Sequence, residues 1–107
     1  MAKQIRFEFE GVDYTLEFTR NSIRQMESKG FKINDIQDKP MTVLPQLFAG
    51  AFWVHHRNIK QETVDKIFNQ MGNKQELIER LGAMYAEPLE SLFDEPEQGN
   101  LKWEASW

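Results

Sequence analysis

Two adjacent histidines, His55 and His56, are the residues of this 107-residue chain that most directly suggest metal or acid–base chemistry. The chain has no cysteine, which excludes a thiolate ligand, a thiol nucleophile and a disulfide. Neighbours on a helix point about 100° apart and do not face each other, so this pair cannot hold one ion by itself. No further histidine stands at ligand spacing. The sequence predicts a structural or surface role for both histidines, and no metal or cofactor.

The serines, carboxylates and glycines also lack the patterns that catalysis requires. No serine lies in a nucleophile-elbow pattern. Glu8 and Glu10 fall on the polar side of an alternating strand, and Asp94 and Glu95 fall in an acidic stretch, where solvated charge is the simpler interpretation. The glycines stand alone and build no phosphate loop or dinucleotide fingerprint. We therefore expect a protein that is not an enzyme.

The first element that positions these residues is a β-hairpin over residues 4–19. Apolar and polar residues alternate there with the period of two that is typical of strands. We place the turn at Gly11-Val12, because glycine at the first central position permits a type II′ turn. This register sets Phe9 opposite Tyr14. An isolated hairpin is marginal, so the helices should cover its apolar face, which comprises Ile5, Phe7, Phe9, Tyr14, Leu16 and Phe18.

Helical periodicity and stop signals divide the following residues into several helices. Thr19 can cap the first helix, and Gly30 can end it with a Schellman-type closure. Asn73 followed by Glu76 resembles a capping box. Pro88 should kink or break the last long helix, because it lacks a backbone donor. The predicted helices span about residues 20–29, 43–56, 61–71, 74–86 and 88–93.

The helix predicted over residues 43–56 is the central one, with Thr42 as its cap and Pro45 in its first turn. Gly50 inside it costs about 1 kcal/mol of helix propensity, which predicts a close crossing, and the hairpin is the expected neighbour. Trp53 and Val54 lie beside the main apolar stripe, so this helix is either buried all round or shared, through self-association with a second copy of the chain or with another partner. The stripe comprises Leu44, Leu47, Phe48, Ala51, Phe52 and His55.

These elements predict an α+β fold that is mainly helical, with an N-terminal hairpin packed on a small bundle of about four to five helices. Residues 1–93 form a single domain. Residues 94–107 are predicted to be a mobile tail, because their first part is acidic and rich in helix breakers. Leu101, Trp103 and Trp107 nevertheless supply apolar anchors. Together with Trp53 and Val54 they are the predicted partner-binding residues, although one tryptophan folded back onto the domain is the alternative.

The charge balance bears on partners and on location. Acidic residues outnumber basic ones by 17 to 13, for a net charge of −4, which disfavours nucleic acid. Local basic patches remain at Arg20 and Arg24 and in the run 55–60. No apolar run resembles a signal peptide or approaches the roughly 20 residues of a membrane span. We therefore expect a soluble, cytoplasmic protein.

Several stretches together resemble one viral family. They are the hairpin opening, the run LFAGAF at 47–52 followed by HHR at 55–57, Met84-Tyr85, residues 89–93, and Lys102-Trp103-Glu104. With these features the chain resembles the small tail assembly chaperones of long-tailed bacteriophages (siphophages) of Gram-positive hosts.

The resemblance implies a non-enzymatic protein of the host cytoplasm, encoded by a phage or a prophage. It would bind the tape measure protein, keep it soluble, help to recruit tail tube protein, and be absent from the mature virion. It also implies a longer product made by frameshifting, and residues 100–102 can be encoded by a slippery heptamer. The alternative is a small nucleic-acid-binding or regulatory protein that uses the helix around Arg20 and Arg24, which would show salt-sensitive DNA binding.

Overall fold

The computed structural model describes residues 3–92, 101 and 103–107. In that part of the chain a two-stranded antiparallel hairpin precedes four α-helices, which confirms the predicted α+β, mainly helical architecture. The elements are β1 (Ile5–Phe9), β2 (Val12–Leu16), α1 (Arg20–Ser28), α2 (Pro40–Gly50), α3 (Gln61–Gln70) and α4 (Lys74–Ser91), with a short 3₁₀ helix (Ile33–Ile36) between α1 and α2. The sequence predicts a mobile tail over residues 94–107. Of these, residues 94–100 and 102 lie outside the described residues.

The hairpin turns one residue earlier than predicted. Phe7 pairs with Tyr14 and Phe9 with Val12, so the turn is Glu10-Gly11 and the predicted Gly11-Val12 turn is wrong. Both turn residues have positive φ, 51° and 79°, the combination that a type I′ turn requires. Each β1 residue therefore pairs with a β2 residue two positions earlier than predicted. A shift by two residues keeps the same side chains on one face, because side chains alternate with a period of two.

The core lies between this face and the helices. Leu16 and Phe18 are fully buried, while Ile5, Phe7, Phe9 and Tyr14 are half-buried against the core. Helical side chains complete it, among them Ile23, Leu47, Phe48, Phe52, Ile67, Leu81 and Tyr85. The hairpin face is therefore part of the hydrophobic interior, and its burial increases along the chain toward α1.

Both ends of α1 follow their sequence signals. The Thr19 side chain accepts the Ser22 N–H at 3.1 Å, and the Ser22 hydroxyl accepts the Thr19 N–H at 2.8 Å. At the other end Gly30 has φ +94°, and the Phe31 N–H donates to the Met26 carbonyl at 3.1 Å. These contacts confirm the predicted cap and the Schellman closure.

The start of α2 differs from the prediction. The helix begins at Pro40, since proline fixes a helical φ at a first-turn position that needs no donor. Thr42 is therefore inside the helix and does not cap it; its N–H donates to the Lys39 carbonyl at 3.1 Å. Pro45 lies beyond the first turn, so the helix lacks the bond to the Met41 carbonyl. Met41 is 89% exposed, so water can donate to its carbonyl in place of the N–H that Pro45 lacks.

The end of α2 is also earlier than predicted, at Gly50 and not at residue 56. A continued helix would use the Ala51 carbonyl for its own fourth following residue. Instead that carbonyl accepts the N–H of Glu17 from the hairpin exit, at 3.0 Å. Phe52 and Trp53 bond three residues back, at 3.2 Å each, so residues 51–55 form turns. The hairpin thus ends the helix.

In α4 the chain continues through Pro88 to Ser91, so the separate helix predicted over 88–93 is wrong. Proline removes one donor, and Pro88 stays buried on the same side as Met84 and Tyr85, so the packing continues past it. Leu89 and Leu92, which were predicted to be buried, are 36% and 58% exposed. The burial predicted for Phe93 lies outside the described residues.

The start of α4 does not use the predicted capping box. Asn73 adopts the left-handed conformation, with φ 49°. Its side-chain amide donates to the Glu76 carboxylate at 2.6 Å and does not accept a backbone N–H. The pair joins two side chains, and the prediction of reciprocal backbone capping is wrong.

Across residues 3–92, 101 and 103–107, no helix combines the length and apolarity that crossing a bilayer requires.

Candidate partner-binding groove

A cleft of about 340 Å³ opens between α1, the end of α2, the turns over 51–60 and the start of α3. We refer to it as the groove. Its apolar lining comes from Met26, Phe31, Ala49, Gly50, Phe52, Trp53, Ile59 and Val64, and its polar lining from Ser22, Gln25, Lys29, Gln46, His56, Arg57 and Gln61. A concave apolar surface with a polar rim is the usual form of a binding site.

The floor of the groove is the contact between α1 and α2. A Cβ atom built on Gly50 would lie 2.5 Å from both the sulfur and the terminal methyl of Met26. The close crossing predicted at Gly50 is therefore present, but the neighbour is α1 and not the hairpin. Glycine suits this position because a side chain would enter the space that Met26 occupies, and Met26 would have to shift. The hairpin makes its contact one residue later, at Ala51.

His56 fastens the hairpin to one wall of the groove. Its Nε2 accepts the backbone N–H of Thr15 at 3.0 Å, so the imidazole is neutral and carries its proton on Nδ1. Burial lowers the pKa of His56, and the positive charge of His55 nearby lowers it further. Both effects favour the neutral form that this hydrogen bond needs.

His55 points to the carboxylate of Glu17, with 2.7 Å between Nε2 and Oε1. The Gln4 amide donates to the same oxygen at 2.9 Å. Burial would raise the pKa of Glu17, but the hydrogen bonds from His55 and Gln4 and the charge of His55 outweigh it, and the pKa is lowered. The two histidines thus hold the hairpin by separate contacts, in keeping with the structural role predicted for them. Among the described residues, no three His, Asp or Glu side chains converge as metal ligands.

Trp53 forms the rim of the groove beside Arg57. The guanidinium carbon of Arg57 lies 4.0 Å from the centre of the indole ring, which is a cation–π contact. Val54 is half-buried and does not line the groove. Leu101, Trp103 and Trp107 are 89%, 84% and 103% exposed. Of the five predicted partner-binding residues, the structure thus brings Trp53 alone into the groove.

The charges of the groove differ in sign from the charge of the chain. Lys29 and Arg57 line it, and the described lining includes no carboxylate, whereas the whole chain carries −4. A local positive potential of this kind favours anionic or acidic ligands. Sequence reasoning missed Gln25, Lys29 and Gln61, because they lie on two helices far apart in sequence and no local pattern joins them.

Arg20 and Arg24, the two basic residues of α1, differ in their contacts. One Arg20 guanidinium nitrogen, Nη2, donates to the carbonyl of Ser91 at 2.6 Å and to its hydroxyl at 3.2 Å. It therefore satisfies the carboxyl end of α4, where helices have free acceptors. Arg24 is exposed. The nucleic-acid alternative thus loses one of its two proposed contacts to a role within the fold.

The chain belongs to a family whose description is "Domain of unknown function (DUF5055)", and the family model matches residues 1–107. Neither the curated proteins nor the solved structures contain a match to the chain. The family description names no activity.

Proposed function

We propose that this member of the DUF5055 family is a tail assembly chaperone, a non-enzymatic protein that binds the tape measure protein of a long-tailed phage, keeps it soluble and promotes assembly of the tail tube. The observation that carries this proposal is the groove, which joins an apolar floor to a rim whose charged groups are cations. The work would take place in the host cytoplasm before the virion is complete.

The groove suits one amphipathic helical segment of a long apolar client. Such helices dock by laying apolar side chains at three- and four-residue spacing into a hydrophobic groove. Met26 in the floor is flexible and polarizable, which lets one site accept different apolar side chains in turn. Lys29 and Arg57 favour client segments that carry acidic residues beside the apolar stripe. The proposed ligand is therefore an acidic amphipathic helix.

A second apolar surface supports the same function. Trp103 and Trp107 are almost fully exposed, and tryptophan is among the residues most enriched at energetically important interface positions. Both indoles lie in solvent in the free chain and are available to a partner. We assign them to contacts with the tape measure protein or the tail tube protein.

Coexpression with the tape measure protein tests the function. The probe is a tape measure protein, which this proposal expects a very long open reading frame downstream of the gene to encode, produced with and without the full chain. We expect the tape measure protein to be largely insoluble alone, and soluble and coeluting with the chaperone when both are present. Equal insolubility in both cultures would contradict the proposal.

Two charge-reversal variants link that result to the groove. Lys29→Glu combined with Arg57→Glu reverses the cations of the lining and should reduce the soluble fraction. Lys32→Glu combined with Lys66→Glu makes the same change in net charge at exposed sites outside the lining, and should leave the soluble fraction unchanged.

A further inference from the structure

We propose that residues 101–107 of the same chain, here called the tryptophan segment, dock in the groove when no partner is present and must be displaced by a partner. In the structure their described side chains lie in solvent. The docked state would cover Trp103 and Trp107 with the apolar floor. It would also cover the groove itself, so that both apolar surfaces are shielded together.

The C-terminal stretch and the groove carry opposite charges. Residues 94–107 carry four carboxylates, at Asp94, Glu95, Glu97 and Glu104, against one lysine. This stretch therefore supplies most of the chain's net charge of −4. Three of these carboxylates precede the tryptophan segment, which itself carries Lys102 and Glu104. The cations Lys29 and Arg57 of the groove therefore attract mainly the acidic stretch that leads to the segment.

The tryptophan segment follows the end of α4 closely enough to reach the groove. The Ser91 carbonyl is held at Arg20, the first residue of α1, by a 2.6 Å hydrogen bond. Gln25 lies on the same helix and Lys29 directly follows its last residue, and both line the groove. At about 1.5 Å per residue they lie roughly 7 to 14 Å from Arg20 along the helix axis. The chain from residue 92 to Leu101 can span up to about 30 Å. The tryptophan segment is thus tethered within reach of the groove of its own molecule.

The rim of the groove offers a stacking surface for a further indole. The Arg57 guanidinium covers the Trp53 indole with one face at 4.0 Å, and Arg57 is exposed. Its second face can stack on an incoming indole in the same way. A short tether gives an effective concentration in the millimolar range, so weak intrinsic affinity is enough within one chain. A second copy at micromolar concentration would need a much tighter contact, which favours the chain's own segment as occupant.

A spin label on the tryptophan segment tests this proposal. The chain has no cysteine, so Ala105→Cys provides a single attachment site, and Ala105 is exposed. Nuclear magnetic resonance of the nitrogen-labelled full chain then reports which amides lose intensity near the nitroxide. We expect selective loss at Gln25, Lys29 and Gln61, with intensity kept at Glu79 and Arg80, which lie outside the groove lining. Uniform intensities, or losses confined to another face, would overturn the proposal.

Two controls separate the alternatives. Lys29→Glu in the labelled chain should restore intensity at Gln25 and Gln61, whereas Lys66→Glu should not. In a mixture of spin-labelled chains without nitrogen label and nitrogen-labelled chains without nitroxide, we expect no selective loss. Selective loss in that mixture would make a second copy the occupant and would refute docking within one chain. Because no tape measure protein is present, this experiment can fail while the proposed function stands, and the reverse also holds.

Discussion

Replacing Gly50 with alanine adds one methyl group at the contact between α1 and α2 beneath the groove. The new Cβ would lie 2.5 Å from the sulfur and the terminal methyl of Met26 and 3.1 Å from its Cγ. The far end of a methionine can swing away, but Cγ is close to the backbone and Met26 is only 8% exposed. Relief therefore requires a shift of α1 or of the neighbouring core.

The expected magnitude combines two opposing effects. Overpacking of a well-filled core costs about 1–3 kcal/mol. Alanine gains up to about 1 kcal/mol of helix propensity over glycine, and less at Gly50 because it is the last residue of α2. We expect Gly50→Ala to lower the free energy of unfolding by about 0.5–2.5 kcal/mol.

Gly82 provides the matched control. It lies inside α4, and a Cβ there meets nothing within 4 Å. Gly82→Ala should therefore raise the free energy of unfolding by about 0.5–1 kcal/mol. In the Met26→Ala background, the overpacking cost of Gly50→Ala should disappear and leave only the gain in helix propensity, which gives a coupling energy of about 1–3 kcal/mol. Urea denaturation of all five proteins measures these values. Stabilisation by Gly50→Ala in the unmodified background, with no coupling to Met26, would refute the packing described here.

Three further predictions concern the hairpin and the helix ends. Phe52→Ala should cost about 3–5 kcal/mol because Phe52 is 1% exposed, and Phe7→Ala about 1–3 kcal/mol because Phe7 is half-buried; equal losses in denaturant melts would contradict this ranking. The pKa of His56 is lowered from 6.5 in the folded chain, so neutral His56 stabilises the fold fully above about pH 6.5. As the pH falls from 6.5 toward the pKa of His56 in the folded chain, the free energy of unfolding decreases by at most about 1.4 kcal/mol per pH unit. Melts at several pH values should show that His56→Gln removes this part of the pH dependence, and an unchanged profile would be inconsistent with a neutral His56. Arg20→Ala should cost about 1 kcal/mol through the lost bonds to Ser91, whereas Arg24→Ala should be neutral within about 0.5 kcal/mol in the same melts, and the reverse order would show that Arg20 does not secure α4.

The parts of the fold that were predictable from sequence depend on local chemistry. The alternation from Ile5 to Phe18 fixed the faces of the hairpin, because a strand has a side-chain period of two. Thr19 and Gly30 marked the ends of α1, since capping and positive φ each require particular residue types nearby. These signals involve residues within a few positions of each other, and no distant part of the chain overrides them.

The parts that were not predictable depend on distant contacts. The end of α2 follows from the hydrogen bond between Glu17 and Ala51, which no periodicity of the helix itself reveals. The partner at Gly50 is Met26 of α1, and the glycine signals a close neighbour without identifying it. The groove has the same character, because its cations Lys29 and Arg57 come from separate segments. A binding site formed by several elements appears only when the packing is known.

Binding of tape measure segments to the groove tests the central claim most directly. Synthetic peptides that cover acidic amphipathic segments of the proposed partner, the tape measure protein, are titrated calorimetrically into the full chain. Reversing Lys29 and Arg57 together to glutamate should weaken binding about tenfold, or about 1.4 kcal/mol, while reversing Lys32 and Lys66 should leave the affinity unchanged. Equal affinities for both variants and the unmodified chain, or no binding of any segment, would contradict the assignment of the groove as the client site.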